Sequence, residues 1–157
     1  MALLPVLLPV SYVRQATMLN LYGVSIGFFA LWPTFDRKSN LVDALTVANL
    51  ANDEVVRNIR SREMLIVGRQ EANWICIDVN GLVFRIDITS CPEPTFSLIA
   101  RDFEVFLLLI GNLHEISEQN EGNPVAGAEE MRKCCIALSC DHVQYGFWER
   151  MAMDMSS

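Results

Sequence analysis

Cys134, Cys135, Cys140 and His142 are the densest group of chemically able side chains in the chain. Their spacing is not the C-x₂₋₄-C pair with which structural zinc sites bring two thiolates onto one ion. Thiols packed as small hydrophobes account for the cluster better than a metal centre does. A Cys–His nucleophile would have to use His114 or His142, the two histidines, and neither lies in a Gly-rich elbow. The carboxylate pairs Glu115/Glu118 and Glu129/Glu130 could serve acid–base chemistry, but they belong to a strongly acidic, solvated stretch, which makes a catalytic role the weaker reading. Neither a phosphate-cradling G-x-x-x-x-G-K-S/T loop nor a G-x-G-x-x-G turn is present. These residues point to no catalytic constellation, no metal and no cofactor.

Charge is distributed unevenly. The formal net charge is −7, which disfavours nucleic acid as a direct ligand because phosphate binding needs a basic surface that displaces counterions. Residues 1–100 carry nine acidic and eight basic side chains, whereas Asp102, Glu104, Glu115, Glu118, Glu121, Glu129 and Glu130 follow with no lysine or arginine between them. Such a block is either a solvated face or a contact surface for a basic partner. The five cysteines, Cys76, Cys91, Cys134, Cys135 and Cys140, are odd in number and two are adjacent, which suits free thiols in a reducing compartment such as the cytoplasm. Met1 to Val10 is apolar, but it has no basic residue ahead of it and contains Pro5 and Pro9. We read it as ordered chain, not an export signal. The longest apolar run, Val105 to Ile110, closes at Gly111, Asn112 and His114, too short for a membrane span.

The elements that would position these groups follow from periodicity. Val10 to Leu21 and Leu41 to about Arg57 have helical spacing, the second opened by Asn40 and Asp43. Val24 to Trp32 reads as one buried strand with a bulge at Gly27, its aromatics Phe28, Phe29 and Trp32 serving as core. Met64 to Gly68 reads as a strand ended by its glycine. Asn80-Gly81 between two β-rich runs predicts a hairpin with a two-residue type I′ turn. That turn would set Val79 opposite Leu82, Ile77 opposite Phe84 and Ile75 opposite Ile86 as one apolar face. The other face would gather Trp74, Cys76 and Asp78 with Val83, Arg85 and Asp87, leaving Asp78 diagonal to Arg85. Asp102 caps a helix whose stripe is Phe103, Phe106, Leu107, Ile110 and Leu113. Val105, Leu108 and Leu109 fall off the stripe, so a second cover is needed. Ser117 to Gly127 reads as a polar linker. A C-terminal helical segment, 128–152, then uses Met131, Cys135 and Leu138, with Phe147, Trp148 and Met151 tucked onto the core. The expectation is one α+β domain over 1–157, its core in 10–116, with a mixed, mostly antiparallel sheet packed against several helices.

The strand LIVG (Leu65 to Gly68), the hairpin WICIDVNGLVFRID (Trp74 to Asp87), a proline-containing loop and IARDFEVFLLLI (Ile99 to Ile110), with LYGVSIGFFALWP (Leu21 to Pro33) upstream, together resemble the SUKH superfamily in its bacterial immunity branch. Carried onto Gly23, Trp32, Gly68, Asp78, Gly81, Phe103 and Phe106, that family's motif positions are architectural. Asp102 replaces the small polar residue usual before the first Phe, and the early glycine-rich region is reduced to Gly23 and Gly27. The resemblance implies a protein that binds and neutralises a co-encoded toxin, often one directed at nucleic acid, by stoichiometric occlusion. A scaffold module is the alternative within binding proteins, and a thiol- or metal-dependent enzyme the alternative outside them. The expected partner is a basic toxin domain, met by the acidic block or by the sheet surface around Trp74, Asp78 and Arg85. Monomer and homodimer both remain open.

Overall fold

The computed structural model describes residues 24–26, 28–31, 61–71, 73–87 and 95–157. Six strands precede three helices: β1 (Val24–Ile26), β2 (Phe29–Leu31), β3 (Leu65–Gln70), β4 (Asn73–Ile77), β5 (Val83–Asp87), β6 (Thr95–Ala100), α1 (Phe103–Gln119), α2 (Pro124–Ala137) and α3 (His142–Ser156). The class is α+β. The strands lie in sequence order, β1-β2-β3-β4-β5-β6, and every described pairing is antiparallel, so the mixed component expected of the sheet is not seen among them. The helices expected at 10–21 and 41–57, together with Gly23, Gly27, Trp32 and Cys91, lie outside the described residues.

The run read as one strand from Val24 is two. Ile26 pairs with Phe29, so the chain reverses at once and β1 lies beside β2. Phe29 and Leu31 point into the core, while Phe28, at the reversal, is 40% exposed and not a core residue. Gly68 does not end β3 but sits within it, opposite Leu31 and beside a bulge. A Cβ there would stand 2.5 Å from the Ala30 carbonyl oxygen, so only glycine lets β2 approach this closely.

The hairpin forms where Asn80-Gly81 places it, with a register one residue away from the expected one. Ile77 pairs with Val83, Cys76 with Phe84, Ile75 with Arg85 and Trp74 with Ile86. A different turn is the cause. Gly81 N–H donates to the Asp78 carbonyl at 3.1 Å and Asp78 N–H to the Leu82 carbonyl at 3.1 Å, enclosing three residues. Asp78 Oδ1 accepts from the Asn80 and Leu82 amides, both at 2.9 Å. Gly81 takes φ +86° while Asn80 is not among the positive-φ residues, which excludes type I′ and fits a type I turn closed by a left-handed glycine. Because side chains alternate along a strand, a one-residue shift changes which residues share a face.

Ile75, Ile77 and Val83 therefore share a face with Phe29, Leu31, Val67 and Ile99, and all three helices pack there. Arg85 is on this face too. The opposite face is not polar as expected: Ile66, Trp74, Cys76 and Ile86 are buried on it. β6 pairs with β5 through a bulge between Val83 and Phe84 and carries Ile99 into the core.

Asp102 is the N-cap of α1, its Oδ1 accepting from the Val105 amide at 2.8 Å. The buried stripe includes Phe103, Val105, Phe106, Leu109, Ile110, Leu113 and Ile116, with Leu107 half-buried and Leu108 46% exposed, so the stripe is rotated from the expected one. α2 and α3 supply the second cover. Trp148 stands at the centre. Its indole N–H donates to the Ile99 carbonyl at 2.8 Å, its ring stacks on Phe29 at 5.6 Å, and Phe106 and Phe147 flank it. The expected linker shrinks to Asn120–Asn123, because Asn123 caps α2 and Pro124 opens it, a position where proline's missing N–H costs nothing.

Candidate functional site

α1 turns its outer side to solvent along Glu104, Leu108, Gly111, Glu115 and Glu118. At 3.6 residues per turn these positions fall within an arc of about 80°. Glu104 lies in the first turn, where the positive end of the helix dipole favours a carboxylate. Glu118 lies in the last turn and Glu115 just before it, against the negative end, and no basic residue occupies that turn. A carboxylate so placed costs about 0.3–1 kcal/mol of helix stability where a cation would add to it. His114 Nε2 lies 3.4 Å from Glu118 Oε1, one turn away on the same helix.

The corner after α1 adds Glu121 and Glu130, and hydrogen bonds hold it in place. Asn120 Nδ2 donates to the Ile116 carbonyl at 2.8 Å and to Glu130 Oε2 at 3.1 Å, tying α1 to α2. Gly122 N–H donates to the Ser156 carbonyl at 2.7 Å, tying the corner to the end of α3. Glu115, Glu118, Glu121 and Glu130 are thus exposed carboxylates on a braced end of the helical layer. Glu129 is exposed as well, but it belongs to a different row of α2, beside Arg132. Asp102 is engaged as a cap.

The sheet residues do not form the surface expected of them. Trp74 is 7% exposed and lies on the opposite face from Arg85. Arg85 donates from Nε to Gln70 Oε1 at 2.8 Å, and its guanidinium sits 5.8 Å from the Phe147 ring centroid, between sheet and α3. Asp78 uses its carboxylate inside the turn, and the register removes the diagonal approach to Arg85.

The thiols owe their proximity to the way α2 ends. Ser139 adopts φ +60°, Cys140 N–H donates to the Cys135 carbonyl at 2.9 Å and Ser139 N–H to the Ile136 carbonyl at 3.0 Å. That is the paired C-terminal bonding of a Schellman motif, which folds Cys140 back over Cys135. Burial pushes the pKa of the Cys76, Cys134, Cys135 and Cys140 thiols above its usual value. The neighbouring thiols raise Cys135 further, while the hydrogen bond from Cys135 and the charge of Arg101 offset part of the effect at Cys140. Protonated thiols are poor nucleophiles and poor metal ligands. His142 engages the Tyr145 hydroxyl. Among the described residues no group of three His, Cys, Asp or Glu side chains is arranged around a metal position, and no helix is long and apolar enough to cross a membrane.

Sequence reasoning missed the exposed apolar residues of α2, Val125 and Ile136. Their signal was available in the spacing, once Pro124 is recognised as the first residue of a helix. Comparisons with protein-family models, with curated proteins and with solved structures found no match to this chain.

Proposed function

We propose that this chain is a binding protein whose acidic corner, Glu115, Glu118, Glu121 and Glu130, docks a basic protein, and that the partner is a toxin it neutralises by occupying it. The observation that carries the reading is the placement of Glu115 and Glu118 against the dipole of α1 on a hydrogen-bonded corner. Carboxylates that oppose the stability of their own helix make sense as contact groups. A toxin acting on nucleic acid presents a basic surface to hold phosphates, and an acidic inhibitor matches that surface and gains association rate by electrostatic steering. The resemblance of Leu65–Gly68, Trp74–Asp87 and Ile99–Ile110 to the SUKH immunity branch supports the choice of a toxin over a scaffold partner. The raised thiols argue against a cysteine nucleophile, and the free cysteines suit a reducing, cytoplasmic setting.

The test is to co-express the chain with the product of the neighbouring gene and measure association at two ionic strengths. Glu115, Glu118, Glu121 and Glu130 are replaced together by Gln. Association should slow and its salt dependence flatten, since exposed charges are screened beyond a Debye length of about 8 Å at physiological salt. The melting temperature should hold or rise, because the opposed carboxylates are gone. An unchanged association rate at both salts would reduce the corner to a solvated face.

A further inference from the structure

α2 packs its inner side, Gly127, Ala128, Met131 and Cys135, against α1 and α3, which in turn meet the sheet. Its outer side is open. Val125 and Ile136 stand there 63% and 58% exposed, more than any other large hydrophobic residue described. Between them on the same side are Glu129 and Arg132, both exposed. The four positions are separated by four, three and four residues. They fall within an arc of about 60° and span about 16 Å of helix at 1.5 Å per residue.

The row reads apolar, acidic, basic, apolar, and it is its own complement when reversed. A two-fold axis perpendicular to α2, passing between residues 130 and 131, carries each position i onto 261 − i of another copy. Val125 then meets Ile136 at both ends, and Glu129 meets Arg132 twice in the middle. We propose that this face is the interface of a symmetric homodimer, with α2 packed antiparallel on α2 of a second copy. Isologous contact requires one patch to complement itself under a two-fold axis, and the order of charges within the row meets that requirement. A parallel pairing would put Glu129 on Glu129 and Arg132 on Arg132.

Arg132 is already held for the contact. Its Nε lies 3.4 Å from Glu149, and its guanidinium sits 5.6 Å from the Tyr145 ring centroid, so less side-chain freedom is lost on pairing. One helical row is small beside the roughly 1,200–2,000 Å² that stable complexes bury, so the dimer is weak and concentration-dependent. This face is separate from the acidic corner, which uses neither Val125, Glu129, Arg132 nor Ile136.

Sedimentation velocity over a concentration series up to the solubility limit tests it, with three variants: Glu129→Arg, Arg132→Glu, and both together. Each single substitution turns two attractive contacts into two repulsive ones and should weaken association about tenfold or more. The double substitution restores opposite charges across the axis and should recover the dimer, although the Arg132–Glu149 contact inside the chain stays lost. Mixing the two single variants should form a heterodimer, since one copy then presents two basic side chains at positions 129 and 132 and the other presents two acidic ones. Melting temperatures are recorded for every variant, so that unfolding is not mistaken for dissociation. A wild type that remains monomeric throughout overturns the proposal. A dimer that Glu129→Arg leaves intact, or that the double substitution fails to recover, overturns it equally.

Discussion

Replacing Gly68 by alanine puts a methyl group where β2 and β3 come closest. The new Cβ would stand 2.5 Å from the Ala30 carbonyl oxygen and 3.0 Å from Leu31 Cδ2. Side-chain Cβ atoms essentially never come within 3.0 Å of such a neighbour, so β2 must retreat by at least the difference, 0.5 Å. The obstacle is backbone and cannot turn aside. Retreat stretches the ladder around the Leu31–Gly68 and Ala30–Arg69 pairs and lifts Phe29 and Leu31, which are almost fully buried. Overpacking against a fixed atom costs about 3 kcal/mol, and weakened ladder bonds add about 1 kcal/mol. The loss of glycine's freedom in the unfolded chain returns about 1 kcal/mol. The net, about 3 kcal/mol, lowers the melting temperature by about 6–12 °C for a domain of this size. Gly111→Ala is the matched control, because nothing lies within 4 Å of its added Cβ and the site is helical. It should stabilise by about 0.5–1 kcal/mol. Thermal and urea melts read both. A Gly68→Ala melting temperature equal to wild type would refute the close approach of β2 and with it the account of why this strand contains a glycine.

Gly81→Val should destabilise by about 2–3 kcal/mol, since a β-branched residue resists the +86° φ that closes the hairpin; an unchanged melting temperature would remove the left-handed turn. Ser139→Gly has the opposite sign, a gain of up to about 1 kcal/mol, because Ser139 is strained at φ +60° where glycine is not, and a lower stability would contradict the helix ending described for α2. Burial raises the Cys76 and Cys135 thiols in the folded chain above their unfolded value of about 8.5. The neutral thiols therefore contribute stability that is complete below that pH and is lost as pH rises toward the folded values. Cys76→Ala should flatten the decline in melting temperature above about pH 8.5, and an identical slope would show that this thiol is not the cause.

How much of this was legible depended on whether a signal acts through neighbours in the chain or through distant ones. The cap at Asp102 and the reversal at Asn80-Gly81 are local, and both stand where the residue types place them. The register was not legible from Asn-Gly alone, because Asp78 competes for the same amides and converts a two-residue loop into a three-residue one. The buried second face of the sheet followed from that register and was lost with it. Gly68 looked like a strand end because a glycine's partner across a sheet, here Ala30, is invisible in its own segment. In the acidic block, exposure was foreseeable from composition, but the separation of Glu129 from the corner residues required knowing that α2 begins at Pro124. Trp74 and Arg85 were assigned to one surface by a register that the turn does not allow.

The sheet's strand order also bears on the sequence of events during folding. From β3 to β6 each strand meets its neighbour across a short connection, so closing these pairs costs little chain entropy, and α1 follows β6 directly. β2 ends at Leu31 and β3 begins at Leu65, 34 positions later in the sequence. That closure is the costly one, and its reward, the Phe29 contact with Trp148 and Phe106, exists only after the helices are in place. On these grounds the β1–β2 hairpin is expected to dock last. Destabilising changes in it should quicken unfolding and leave the folding rate nearly untouched, whereas changes in β4 and β5 should slow folding, a contrast that chevron kinetics would display directly.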